Sequence, residues 1–193
     1  MAEILTPGFA DPVHGAQTSF RTLLTALSEP GRVLTLAAVT ETPPGLKPAM
    51  AAVALTLMDA DTPIWTDGKS SAASAWLRFH CGAPLVEELS RAAFALCADG
   101  HGTPPLSAMN LGEDDYPDRS ATVVIEVASL AEGSGWRLSG PGIETERLLA
   151  IGGLPATFRQ QWSANGAIFP RGVDVVFTCG DRVAGLPRRI RIA

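Results

Sequence analysis

Apolar positions follow two rhythms along this chain. In the first, Ala16, Phe20, Leu23, Leu24 and Leu27 recur at three- and four-residue steps, which predicts a helix with one apolar face. Asp11-Pro12 supplies its start, an N-cap acceptor followed by proline at the first helical position, and Pro30-Gly31 stops it. Pro48 opens a second helix through about Leu57, whose small face (Ala49, Ala52, Val53) predicts close packing on a neighbour. Ser70 to His80 and Pro155 to about Ser163 read as further helices. In the second rhythm, short apolar or β-branched runs predict strands at Arg32 to Val39, Thr62 to Thr66, Ala92 to Ala98, Ser120 to Leu130, Val173 to Thr178 and Val183 to Leu186. Gly133-Ser134-Gly135 reads as a hairpin turn into Trp136-Arg137-Leu138, and Gly180-Asp181 as another turn. Gly100 to Pro117 has little periodicity and reads as a loop with one helical turn, the most mobile segment. Helices and strands alternate in the first half and hairpins dominate the second. The expected fold is therefore α/β, a mixed β-sheet with flanking helices, in a single domain over residues 1–193.

Composition narrows the function. A chain of 193 residues buries roughly 70% of its unfolded surface, enough for one good core. The net charge of −5 argues against nucleic acid, which needs a basic face to release counterions. The cluster Arg188, Arg189 and Arg191 reads as a solvated tail. Three cysteines (Cys81, Cys97, Cys179) with no C-x-x-C fit free thiols in a reducing cytoplasm. Met1-Ala2-Glu3-Ile4-Leu5-Thr6-Pro7-Gly8 lacks the features of a signal peptide, and the apolar stretch Ala49 to Met58 is about half the ~20 residues of a membrane span. A cytoplasmic protein with no membrane partner is expected.

Several chemical motifs fail on their own physics. Gly68-Lys69-Ser70 suggests a phosphate loop, but the required upstream glycine is Pro63, which fixes φ and has no N–H to donate. Gly140-Pro141-Gly142 lacks the third glycine of a dinucleotide fingerprint and reads as a turn at a hairpin exit. No nucleophile elbow occurs, the histidines are scattered, and a metal site is not expected. Lysine is scarce: Lys47 and Lys69 both sit in turn-like settings, so a Schiff-base cofactor has no evident anchor. The densest polar region spans Asp59 to Val86. Asp59 and Asp61 share one side of an extended segment and could hold a cation or shift each other's pKa; alternatively, Asp59 ends a helix and Asp61 caps the turn before Thr62-Pro63. Arg78 and His80 are favoured near a helix C-terminus by its dipole, and could equally bind an anion or a partner's carboxylate.

Six segments together resemble the H subunit of the bacterial carbon–phosphorus lyase system. They are Ser19-Phe20-Arg21 through Leu27-Ser28-Glu29-Pro30-Gly31; Asp59-Ala60-Asp61-Thr62-Pro63-Ile64-Trp65; Leu77-Arg78-Phe79-His80-Cys81-Gly82-Ala83-Pro84-Leu85; Tyr116-Pro117 with Ser120-Ala121-Thr122; Leu138-Ser139-Gly140-Pro141-Gly142-Ile143; and Phe169-Pro170-Arg171-Gly172-Val173-Asp174 with Leu186-Pro187-Arg188. Their order covers the chain from about Phe9 to Arg189. The resemblance implies a fold like that of pyridoxal-phosphate-dependent transferases, without the cofactor. It also implies a role in phosphonate catabolism, supporting formation of ribose 1-phosphonate 5-triphosphate from ATP and phosphonate with release of adenine. Implied partners are a second copy in a homodimer and the G, I, J and L subunits, with ATP or phosphonate as ligands. The family supplies no agreed catalytic residues. The polar groups in the matching motifs (Arg21, Asp59, Asp61, Trp65, Arg78, His80 and Asp174) are therefore the ligand- or partner-binding candidates. A scaffold without chemistry of its own and a stand-alone small-molecule enzyme of the same fold are the alternative readings.

Overall fold

The computed structural model describes residues 7–193, so most of the N-terminal segment read for a signal peptide lies outside the described residues. Helix α1 spans Pro12–Ser28, and the Asp11 carboxylate caps it by accepting the Val13 and His14 N–H groups. Strand β1 is only Leu34–Thr35, much shorter than the expected Arg32 to Val39. Helix α2 is Pro48–Leu57, strand β2 Ile64–Thr66, helix α3 Ser74–Cys81 and strand β3 Phe94–Cys97. Strands β4 (Thr122–Glu126), β5 (Ser129–Ser139) and β6 (Arg147–Gly152) precede helix α4 (Phe158–Ala167). Strands β7 (Asp174–Cys179), β8 (Arg182–Leu186) and β9 (Arg191–Ile192) complete the chain.

Six strands form one mixed sheet in the order β1-β8-β7-β4-β3-β2. Strands β2, β3, β4 and β7 run parallel, while β8 returns antiparallel on β7 and β1 on β8. Alternation along the strands sends Leu96, Val124, Val176 and Val183 to one face, under α1, α2 and α3. Ala95, Val123, Ile125, Val175, Phe177 and Ala184 point to the other face, under α4 and a small sheet of order β6-β5-β9. The expected mixed sheet with flanking helices is thus present, with a second sheet on one side.

Helix α2 is central to the first layer. Residues Ala49 to Ala54 are all buried, because α2 lies between α1, α3 and the strands β4 and β7. Its small side chains are consumed inside the chain, in the close packing on neighbouring elements that their size predicts. The apolar face of α1 differs from expectation. Ser19, Leu23 and Ala26 face inward, while Phe20 (50% exposed) and Leu24 (57%) point outward with Val13. The cause is a close approach to β8: a Cβ on Gly185 would lie 2.5 Å from the Ala26 carbonyl oxygen, so the glycine admits the Ala26 ridge and turns Phe20 and Leu24 away.

In the second half, Gly133-Ser134-Gly135 is not a hairpin turn. Strand β5 runs through it with a bulge between Glu132 and Trp136, and pairs with β6 after a turn at Gly140-Pro141-Gly142. The 100–117 segment is pinned at several points. Leu106 and Met109 are buried, Leu106 N–H donates to Gln161 Oε1, and the Asn110 and Leu111 carbonyls accept from Ala121 and Gly172. Among the described residues, no helix is long and apolar enough to cross a membrane.

Candidate functional site

Three polar regions can be built from the elements above: the candidates named from sequence, the carboxyl ends of the parallel strands, and a cavity beside α4.

The sequence candidates do not converge. The 59–61 loop does meet the end of α3, since a Cβ on Gly82 would stand 3.9 Å from that of Ala60. Within the loop the capping role belongs to Asp59, not Asp61. The Asp59 carboxylate accepts the Asp61 N–H at 3.0 Å, and its backbone N–H donates to Thr62 Oγ1 at 2.7 Å. Asp61 and Arg78 are exposed, and among the described residues no ion pair joins either aspartate to Arg78. His80 is half-buried, with its ring 4.7 Å from Trp76 and edge-on to Phe79 at 4.9 Å. Trp65 packs into the opposite layer of the core. Arg21 is exposed on α1, beside a shallow hollow with Thr22, Thr25, Leu34 and Thr35. Asp174 begins β7, which is separated from β2 by three inter-strand steps of about 4.8 Å.

At the carboxyl ends of the strands, the chain after β2 turns to the α3 face, while the chain after β3 turns to the α4 face. Open α/β sheets bind ligands at such a divergence. Here the divergence is filled by the protein's own bonds. Asp67 accepts the Lys69 and Ser70 N–H groups and the Ser70 hydroxyl on one oxygen, and the Asp99 N–H on the other. Lys69 Nζ closes on Asp99 at 2.7 Å, and this hydrogen bond holds the Asp99 carboxyl below its ordinary value. Glu126, at the end of β4, accepts the Thr178 hydroxyl and the Gly180 N–H. A crevice of about 420 Å³ remains beside Lys47, Asp99, His101 and Glu126. Cys179 lines the crevice; of the other thiols, burial, with a smaller push from Asp67, raises Cys97 to about 12, and burial raises Cys81 to about 11.

The third region is the largest, a cavity of about 820 Å³. One face of α4 forms its floor, with Arg159, Trp162, Ser163, Gly166 and Ala167 at helical spacing. The opposite wall is the C-terminal segment from Arg188 to Ile192. Trp162 Nε1 donates to the Ile190 carbonyl at 2.7 Å and locks floor to wall. Gly140 (φ 138°) completes the rim, because a Cβ there would press on the Arg189 carbonyl oxygen at 3.0 Å.

Arg188 is the most heavily bonded side chain of the region and corrects the solvated-tail reading. It pairs with Asp174 through Nε and Nη2, and donates to the Pro117 and Pro170 carbonyls and to Ser120 Oγ. Arg189 lies 5.1 Å over the Phe169 ring. Among the described residues, Arg159 and Arg191 make no ion pair. Sequence reasoning missed Arg159, Arg189 and Arg191 as one group. The available signal was the density of arginine in Arg188-Arg189-Ile190-Arg191, which folds as a turn at Arg188 and Arg189 followed by the two-residue strand Arg191–Ile192. Among the described residues, no group of three histidine, cysteine or acidic side chains could hold a metal ion.

Fold and site together define a mixed-sheet α/β protein with an arginine-lined cavity and acidic side chains spent on internal bonds. The family model for the bacterial phosphonate metabolism protein (PhnH) matches residues 7–193, and the chain belongs to that family. It is 40% identical over 193 residues to the "Alpha-D-ribose 1-methylphosphonate 5-triphosphate synthase subunit PhnH" of Rhizobium meliloti (strain 1021), covering 99% of this chain and 96% of that protein. It is 36% identical over 180 residues to the "Putative C-P lyase subunit protein HtxG" of Stutzerimonas stutzeri, covering 91% of this chain and 85% of that protein. The resemblance read from the six segments is thereby established.

Proposed function

We propose that this chain is a subunit of a carbon–phosphorus lyase system and supports the step in which ATP and a phosphonate yield ribose 1-phosphonate 5-triphosphate. In that step the bond from ribose C1 to adenine breaks, a phosphonate oxygen takes its place, and adenine leaves with a proton. The observation that carries the reading is the 40% identity, over 99% of the chain, to a protein named as a subunit of such a synthase. The geometry favours a supporting role over stand-alone turnover. Asp59 is committed to a turn, Asp61 and Arg78 make no ion pair with each other among the described residues, and Trp65, Arg21 and Asp174 lie elsewhere. The chain works as one unit, and its parallel-strand core with flanking helices accords with the transferase-like fold, used without pyridoxal phosphate.

Assembly uses surface that the core leaves over. Val13, Phe20 and Leu24 are exposed along α1, with Arg21 beside them, and Phe79 is exposed on α3 next to Arg78 and His80. These two faces support the reading of a homodimer that docks on sibling subunits. The test is complementation. A bacterium lacking its own H subunit should regain growth on methylphosphonate when given this chain, and the tagged chain should bring the other subunits through purification. Failure of both growth and co-purification would overturn the assignment.

A further inference from the structure

We propose that the cavity between α4, the Gly140 turn and the C-terminal segment binds the triphosphate group of the substrate or product. The proposal rests on the reading above and names the site for one part of that chemistry.

The charge of the cavity suits a polyanion. The chain as a whole carries −5, yet Arg159, Arg188, Arg189 and Arg191 line one cavity whose lining contains no aspartate or glutamate. Like charges brought together around one concave space repel one another, and a bound polyanion relieves that cost. Arg188 is neutralised by Asp174 and serves as the anchor. Arg159, Arg189 and Arg191 remain for a ligand, and three cations suit a group whose charge is spread over three phosphorus centres.

The shape of the cavity suits it as well. Arg189 stands in the turn closed by the Ile190 N–H on the Pro187 carbonyl, Arg191 opens β9, and both line the wall that Arg159 faces from the first turn of α4. Ser163, Gly166 and Ala167 keep the floor small, so the space stays open between the opposed arginines. About 820 Å³ is within the ~300–1,000 Å³ of ordinary ligand pockets. Guanidinium forks pair with phosphate oxygens two at a time, which lysines do not, and the cavity lining contains no lysine. The Trp162 bond to Ile190 fixes the two walls in advance, so little ordering is needed on binding.

The probe is inorganic tripolyphosphate, titrated into the full chain by calorimetry at low ionic strength. One site is expected, weakening as salt is added. Each charge-assisted contact is worth about tenfold in affinity, so Arg159→Ala with Arg191→Ala should weaken binding about a hundredfold while the melting curve stays in place. Lys69→Ala, at the carboxyl rim, should leave binding unchanged. If the double variant melts early, Arg191→Gln alone should still give about a tenfold loss in a folded chain. Absence of tripolyphosphate binding by the unaltered chain, or equal binding by the double variant, overturns the site. So does a double variant that binds tripolyphosphate normally but no longer brings sibling subunits through purification, which would mark the cavity as a seat for a partner's acidic segment. Growth on methylphosphonate separates the two levels. A double variant that grows like the unaltered chain sinks the site and leaves the assignment standing, whereas an unaltered chain that fails to support growth sinks the assignment.

Discussion

The carboxyl rim of the parallel strands and the cavity beside α4 are both polar, and they spend their charges differently. At the rim, Asp67 takes four donors and Glu126 two, all from this chain, and Lys69 is tied to Asp99. A carboxylate with that many internal donors is part of the scaffold, because any ligand would have to displace bonds already made. At the cavity, one arginine of four is spent in this way and the other three stand around open space. The customary place for a ligand, the divergence of β2 and β3, is filled by the chain's own bonds. The open, singly charged surface lies on the opposite layer, between elements distant in sequence.

Mutations can break this comparison from either side. The largest effect belongs to Arg188→Ala. It leaves Asp174, two carbonyls and Ser120 without their half-buried donor, and should cost about 3 kcal/mol of stability, read from urea unfolding. An unchanged midpoint would show that the anchor is dispensable and the wall of the cavity is held otherwise.

Asp67→Ala should come next, with a loss of about 2 kcal/mol, because the start of the 70–73 turn loses its cap and Asp99 N–H its acceptor. If this variant stayed stable but lost phosphonate-dependent growth, the rim would be a working site and the contrast with the cavity would fail.

Arg78→Ala should change stability by less than about 0.5 kcal/mol, since the side chain is exposed on the last turn of α3. Its effect should appear in the recovery of sibling subunits during purification. Normal recovery together with a lost ATP-dependent step would make the end of α3 catalytic.

Asp99→Asn gives the smallest effect and tests the rim through pH. The Asp99 carboxyl is held below its ordinary 3.8, first by the Lys69 hydrogen bond. A depressed carboxyl stabilises the folded chain above its unfolded value and loses that contribution as pH falls through the folded value. Melting temperatures of the two proteins should therefore differ slightly at neutral pH and merge on acidification below 3.8. A gap that persists in acid would mean that Lys69 and Asp99 do not interact through charge.

Local chemistry was legible wherever the determining residues are neighbours. Asp11-Pro12 set the start of α1, Pro48 the start of α2, and β-branched residues marked β4 and β7, because caps, proline geometry and side-chain period act within a few positions. The six segments carried family membership for the same reason: a pattern of short motifs is itself sequence. Tertiary structure alone decided which side of α1 faces in, since that depends on Gly185 in a strand far along the chain admitting the Ala26 backbone. It decided that Gly133-Ser134-Gly135 is crossed as a bulge, because β6 offers a partner on both sides of it. It also decided that Arg188 is an anchor and that Arg159 meets Arg189 and Arg191 across a cavity. Charges read singly along a chain look like solvated surface; only the docking of β9 against β5 and of the Ile190 carbonyl on Trp162 brings them together around one space.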